Sequence, residues 1–449
     1  MVKTGTSVKP TVLIATTCRW ISAARLAMAL ANAGCTVEAV CPPRHPLGKT
    51  SVMKKSHTYH GLTPLASFAH AIAATKPDFI IPGDDLATRH LHRLYHRERG
   101  RGKAGGSICA LVERSLGAPE AFPVVFARTA FMEVARTAGI RAPETRVINS
   151  ANDLGQWIAR MGFPTVLKAN GTSGGEGVRI VNTLEEAERA FAVLQTPSVL
   201  AVAGQAKRAV LEQDKTFVWP SLLRRPCVVN AQAFVAGREA TSVLACWNGT
   251  VLAALHFEVL SELYPAGPAS VLRLIEHAEI SSAAEKIVRR LNLSGMHGLD
   301  FMIEEQTGNA YLIEINPRAT QGGHLPLGPG RDLPAALYAA VAGKAVQAAP
   351  KATENDTIAL FPHECMKNPW SAFLRSGYHD VPWEEPELLS VCAHARRKHR
   401  GWYPQQKWIP DFPGDRPSVR IESAQKPSGE SAFSGPIVDS CARGVHTGM

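Results

Sequence analysis

A chain of 449 residues is too long for one simple core and points to roughly two or three units. Hydrophobic residues make up 45% and charged residues 20%, which excludes a disordered polymer. The formal net charge of +10 collects from Arg89 to Lys103, with the single aromatic Tyr95, and from Ala393 to Arg400, with none, so both read as solvated surface and nucleic-acid binding is not expected.

Thr11 to Ala15 is a β-branched, apolar run and reads as a buried strand. Helix formers fill Ile21 to Ala33, and Gly34 stops them. Thr36 to Val40 is a second strand, Leu65 to Ala74 a helix, and Asp78 to Pro82 a third strand closed by Gly83-Asp84-Asp85. This alternation is that of an open parallel sheet. No G-x-G-x-x-G follows the first strand, so a dinucleotide is not expected. Asp84 and Asp85 fall where a parallel strand ends, the ligand edge of such sheets; a cap for the helix starting at Leu86 is the competing reading.

Ala127 to Ala138 reads as a helix, and strands and helices alternate again to about Ala349. Within Phe163 to Val181, a strand carries Lys168 at its end, a glycine-rich loop runs through Gly177, and a second strand follows. A lysine there reaches phosphate as a point charge, and glycines let backbone N–H groups come close. It is not a Walker A loop, because no Gly-Lys-Ser/Thr ends it and a strand follows; an ordinary glycine-rich hairpin is the plain alternative. Gln232 to Val235, then Gly237-Arg238-Glu239, form a connector into a hairpin turning at Asn248-Gly249. Such a connector suits an adenine edge, with Phe234 and Val235 as an apolar wall and Glu239 on a ribose hydroxyl; a plain strand with a surface glutamate competes. Arg273 is read as a solvent-facing helix residue, with a substrate carboxylate as the other option.

Gly298 to Ile303 and Ala310 to Ile315 are strands joined by a tight turn at Thr307-Gly308-Asn309, so they pair antiparallel. A period of two puts Leu312, Glu314, Asn316 and Arg318 on one face and Tyr311, Ile313 and Ile315 on the other, with Asp300 across from the acidic end. These oxygens are the hard ligands Mg2+ prefers, alongside nucleotide phosphates and water; polar residues facing solvent are the alternative. Gln321-Gly322-Gly323-His324 is placed on the acceptor side, with His324 equally a surface residue. A packing role is expected for Asp380-Val381-Pro382-Trp383.

Together these residues resemble the ATP-grasp superfamily, in particular its biotin carboxylase and carbamoyl-phosphate synthase branch, over about Arg128 to Val341. Glu314-x-Asn316-Pro317-Arg318 is the most specific part. The resemblance implies an α/β and α+β architecture: a Rossmann-like open parallel sheet domain at 1–118 precedes an ATP-grasp fold at 119–349, whose lid covers about 144–231. Apart from the resemblance, a C-terminal extension at 350–412 is expected to pack on the core, and 413–449, rich in Ser, Pro and Gly, is expected to be a disordered tail. By position, Lys168 and Arg128 contact phosphate, Arg128 standing where relatives often carry a second lysine. Gly171, Ser173, Gly174, Gly175 and Gly177 form the closing loop. Gln232, Ala233, Phe234 and Val235 form the adenine hinge, preferred over Leu211-Glu212-Gln213, and Glu239 takes the ribose. Asp300, Glu314 and Asn316 hold the metal, while Arg318 and Lys168 act at the reaction.

The implied cofactors are ATP and Mg2+, with Mn2+ as a substitute. The implied function is a ligase that activates a carboxylate as an acyl phosphate for an amine or similar nucleophile; a phosphotransferase and a non-catalytic ATP-binding module are the alternatives. Partners are small carboxylates and amines, with a homodimer left open. Nine cysteines without C-x-x-C spacing point to a reducing compartment. No apolar run is long enough for a bilayer, and Arg19 and Arg25 interrupt any signal-like stretch, so a cytoplasmic location is expected.

Overall fold

The computed structural model describes residues 9–170, 177–195 and 227–398, all within the compact unit Met1–Trp402. Gly171, Ser173, Gly174, Gly175, Leu211-Glu212-Gln213 and the expected tail lie outside the described residues. No described helix is long and apolar enough to cross a membrane. The eight described cysteines are free thiols.

The first sheet holds β1 (Thr11–Ala15), β2 (Thr36–Cys41), β3 (Met53–Thr58) and β4 (Phe79–Pro82) in the order β3-β2-β1-β4, all parallel. Both its faces are covered: Val12 and Ile14 pack in one core and Leu13 and Ala15 in another, as helices on both sides require. β3 has no counterpart in the sequence reading. It is an edge strand whose Lys54, Lys55 and Ser56 are exposed, so it carries no apolar run to recognise.

A second sheet, β5 (Thr145–Ile148), β6 (Thr165–Ala169), β7 (Val178–Val181) and β8 (Val229–Ala233), is antiparallel in the order β5-β8-β6-β7. Leu167, Ala169, Val229 and Ala231 pack beneath it with Trp157 and Phe191. Val166, Lys168, Asn230 and Gln232 alternate with them and face the other way.

The largest sheet joins β9 (Gly237–Trp247), β10 (Thr250–Glu262), β11 (Ala269–Leu274), β12 (Gly295–Glu304), β13 (Ala310–Asn316), β14 (Thr357–Leu360) and β15 (Tyr378–Asp380) in the order β13-β12-β9-β10-β11-β14-β15. The β9–β10 turn has Asn248 at φ 46° and Gly249 at φ 76°, the double left-handed geometry that matches strand twist. Leu244, Leu299 and Phe301 pack under helices Arg128–Thr137 and Ala278–Leu291. On the opposite face, Val243, Phe257 and Leu272 share a core with Val12, Leu26 and Phe79 of the N-terminal unit. Further along that face stand the polar residues Glu239, Thr241 and Asp300.

The C-terminal extension does more than pack on the core. β14 pairs with β11 and β15 with β14, and Ile358 and Leu360 enter the same core. Asp380 ends β15 and is buried between Arg25 and His324, whose Nε2 lies 2.7 Å from Oδ2. Burial alone would raise this carboxyl, but His324 and Arg25 outweigh it and hold it at about 2. His324 is therefore no surface residue. Arg273 is a strand residue, not a helical one; it is tied to Glu258 at 2.5 Å, a pair that lies on the face carrying Ala240, away from Thr241.

Candidate active site

Cross-strand register brings the acidic residues together. Asp300 on β12 pairs with Glu314 on β13 and with Thr241 on β9, while Glu239 stands one pleat further along β9 opposite Met302. A β-bulge decides which residues of β13 join them. Phe301 pairs with Leu312 and Asp300 with Glu314, so Ile313 is the extra residue. Leu312 and Ile315 thus lie in the same core despite their odd spacing. This corrects the expected alternation: Leu312 does not share a face with Glu314, and Tyr311, opposite Met302, does.

Thr241 Oγ1 donates to Asp300 Oδ1 at 2.9 Å, and Asn316 Nδ2 donates to Oδ2 at 2.8 Å. Burial, then the neighbouring Glu314, raise the Asp300 carboxyl. Burial would raise Glu314 too, but Arg128, with Nη1 2.7 Å from Oε2, and Lys168 bring it below the usual range. Glu239 is pushed up by burial and by the charges of Asp300 and Glu262.

Lys168 comes to this set from the second sheet. It is 5% exposed, and burial lowers its ammonium to about 8. Glu314 is the strongest opposing influence, with Asp300 and Glu239 acting the same way and Arg128 against them. Asn230 Nδ2 donates to Lys168 O at 3.3 Å and to Asn170 Oδ1 at 2.9 Å, and Ala169 N donates to Gly177 O at 2.9 Å, which braces both roots of the glycine-rich segment.

Arg318 follows β13 and is 8% exposed. Its guanidinium donates to Asp85 Oδ1 at 3.1 Å, Asn316 Oδ1 at 3.2 Å and Ala319 O at 3.3 Å, and lies 5.0 Å from the Trp20 ring centre. The two aspartates after β4 therefore divide their work. Asp84 caps the helix Asp85–Arg99, accepting from Ala87 N at 2.8 Å, and also accepts from both Thr16 and Thr17. Asp85 faces the arginine. Beside it lies a cavity of about 40 Å³, lined among others by Asp85, Arg89, Phe126, Arg128, Glu314 and Pro317.

Residues 127–325 match the family model of the carbamoyl-phosphate synthase L chain, ATP binding domain. The carbamoyl phosphate synthase large chain of Methanosphaerula palustris is 27% identical over 203 residues, 44% of this chain and 17% of that protein. The N-terminal section of the Aquifex aeolicus large chain is 23% identical over 205 residues, 44% of this chain and 33% of that one. The chain thus spans a third or less of the length of these curated relatives. Among solved structures, N5-carboxyaminoimidazole synthetase from Staphylococcus aureus, complexed with ADP, superposes with a TM-score of 0.53 at 15% identity, covering 76% of this chain and 80% of that one. The biotin carboxylase domain of Hydrogenobacter thermophilus 2-oxoglutarate carboxylase gives 0.53 at 18% identity, over 75% and 70%. The fold is that of these ATP-grasp enzymes, and residues 127–325 are similar to the ATP binding domain of carbamoyl-phosphate synthase.

The connector from β8 to β9 joins the second sheet to the largest one. Gln232 sits inside the central strand β8, bonded through Nε2 to Thr145 Oγ1 at 3.1 Å, with its backbone in ladders on both sides. Ala233 N is used by Glu144 O. Phe234, 37% exposed, and Val235 follow the strand, and only beyond Ala233 does the chain leave the ladder. Among the described residues no group of three His, Cys, Asp or Glu side chains suits a metal. The oxygen set is instead two carboxylates and the Asn316 amide, the composition that Mg2+ with its own waters and phosphates accepts. Thr241, Asn230 and Trp20 were not among the residues expected at the site, whereas Asp85 was expected at the ligand edge as one of two readings. Asp85 had a positional signal at the end of β4; the others reach the site only through pairing and packing.

Proposed function

We propose that this protein is an ATP- and magnesium-dependent ligase that activates a carboxylate as an acyl phosphate for attack by an amine or similar nucleophile. The observation that carries this reading is Lys168, buried on one sheet, interacting with Glu314 and Asp300 on another. That is the charge pattern a triphosphate with its cation calls for. The similarity to carbamoyl phosphate synthase chains, and the fold shared with ADP-bound synthetases, supports it.

In this reading Asp300, Glu314 and Asn316 would hold Mg2+, which offsets phosphate charge when bound. Lys168 places a point charge on the phosphates from the other side. Arg128, now held by Glu314, offers its fork to phosphate oxygens. Phe234 and Val235 wall the base, and Glu239 accepts from the ribose. Arg318, held by Asp85, Asn316 and Trp20, stabilises charge at the transferring group without reorganising.

The test is ADP release in the presence of pooled carboxylic acids and amines. Glu314→Gln should abolish release, and full activity in that variant would sink the assignment. A phosphorylated product that accumulates without any amine would replace the ligase with a phosphotransferase.

A further inference from the structure

Arg89 projects from helix Asp85–Arg99, one turn after Asp85, into the cavity beside β13. It is half-buried, with its guanidinium carbon 3.9 Å from the centre of the Phe126 ring. Among the described residues it makes no hydrogen bond and no ion pair. Its neighbours differ: Arg128 is held by Glu314 at 2.7 Å and Arg318 by Asp85 at 3.1 Å. The carboxylates around the cavity are thus already engaged by other cations. A desolvated cation without an oxygen partner is costly, and an arginine fork matches a carboxylate or phosphoryl group. The cavity of about 40 Å³ exceeds the roughly 10–15 Å³ that one water needs, so it has room for a group of a few heavy atoms. Its other walls, Val125, Phe131 and Ile315, are apolar and would strengthen such a charge pair.

We infer that this cavity is a substrate subsite in which Arg89 binds a small oxyanion, the carboxylate or phosphoryl group of the molecule the enzyme acts on. The inference rests on the ligase reading and adds a substrate feature: an anionic group placed beside Arg128 and Glu314, which line the same cavity.

The experiment uses the full chain saturated with Mg-ADP, so that the nucleotide site is filled before the anion is added. Acetate and inorganic phosphate are then titrated by calorimetry into the wild type, Arg89→Met, Arg89→Lys and, as a control on β11, four strands away from β13 in the same sheet, Arg273→Met. One anion should saturate in the wild type and in Arg273→Met, and weaken by about tenfold or more in Arg89→Met. The tighter anion identifies the group as carboxylate or phosphoryl. Arg89→Lys keeps the charge but loses the fork and should bind between the two; if Arg89→Met does not fold, this variant decides, and unchanged affinity there overturns the inference. Equal binding in wild type and Arg89→Met, or no anion binding beside bound Mg-ADP, overturns it while leaving the ligase reading intact. Failure of Mg-ADP itself to bind the wild type overturns both.

Discussion

Lys168 shows how placement retunes a single side chain. Burial brings its ammonium from an ordinary 10.5 to about 8, even with carboxylates nearby. As pH rises through about 8 the ligand-free protein loses this charge, so Mg-ADP affinity should fall by up to about tenfold per unit. Calorimetric titration across that range checks this, and Lys168→Met should bind weakly with no such break. The effect on folding has the opposite sign. Between about 8 and 10.5 the unfolded chain holds a proton that the folded chain has released, so ligand-free stability rises with pH across that window. Asp85 acts through Arg318 rather than on nucleotide. Asp85→Asn should lower turnover by about tenfold to a hundredfold with Mg-ADP affinity unchanged, as expected when a partner that orients a functional group is lost. Parallel loss of nucleotide affinity would refute that role.

At the scale of elements, the bulge on β13 is the decisive feature. If Ile313 took part in regular alternation instead of standing out as a bulge, Glu314 would fall on the face of Leu312, against helix Arg128–Thr137 and its surroundings. Deleting Ile313 removes the bulge but leaves Leu312 and Glu314 adjacent and therefore still on opposite faces, so the sheet should stay recognisable by circular dichroism and Mg-ADP binding should survive. Lost binding would mean that the bulge itself, and not only the face it selects, positions the carboxylate. Helix Asp85–Arg99 is a second such element. Its cap at Asp84 is anchored on Thr16 and Thr17, so the end of β1 sets the position of Asp85 and Arg89.

Across the whole molecule, three distant stretches of the chain meet at Asp380. Arg25 comes from the first, His324 from the second and Asp380 from the third. Asp380→Asn leaves Arg25 buried without its carboxylate and should cost about 3–5 kcal/mol, read by urea denaturation. Because this carboxyl sits near 2 in the folded chain, its contribution is present above the ordinary carboxylate range and lost as pH falls toward 2. The extension also supplies two strands of the largest sheet. A chain ending at residue 349 should expose the edge of β11 and aggregate, whereas one ending at 402 should stay folded and soluble. Comparing soluble expression of the two chains tests this.

The sequence by itself determined what local pattern encodes. β1 was legible to the residue, as was the β9–β10 turn, because apolar runs, glycines and Asn-Gly act within a few neighbours. Lys168, Asp300 and Glu314 were legible in residue type and order, while their influence on one another depends on how two sheets are placed. Tertiary structure alone decided the rest. A polar edge strand such as β3 is held by its neighbour β2, not by its own composition. The bulge at Ile313 arises from pairing with β12, so a strict period of two misplaced Leu312 and Tyr311. Asp85 and Arg318 are 233 positions apart, and Asp380 and Arg25 are 355 apart. No local signal joins such residues; packing brings them together, because a buried charge without a partner is too costly to keep.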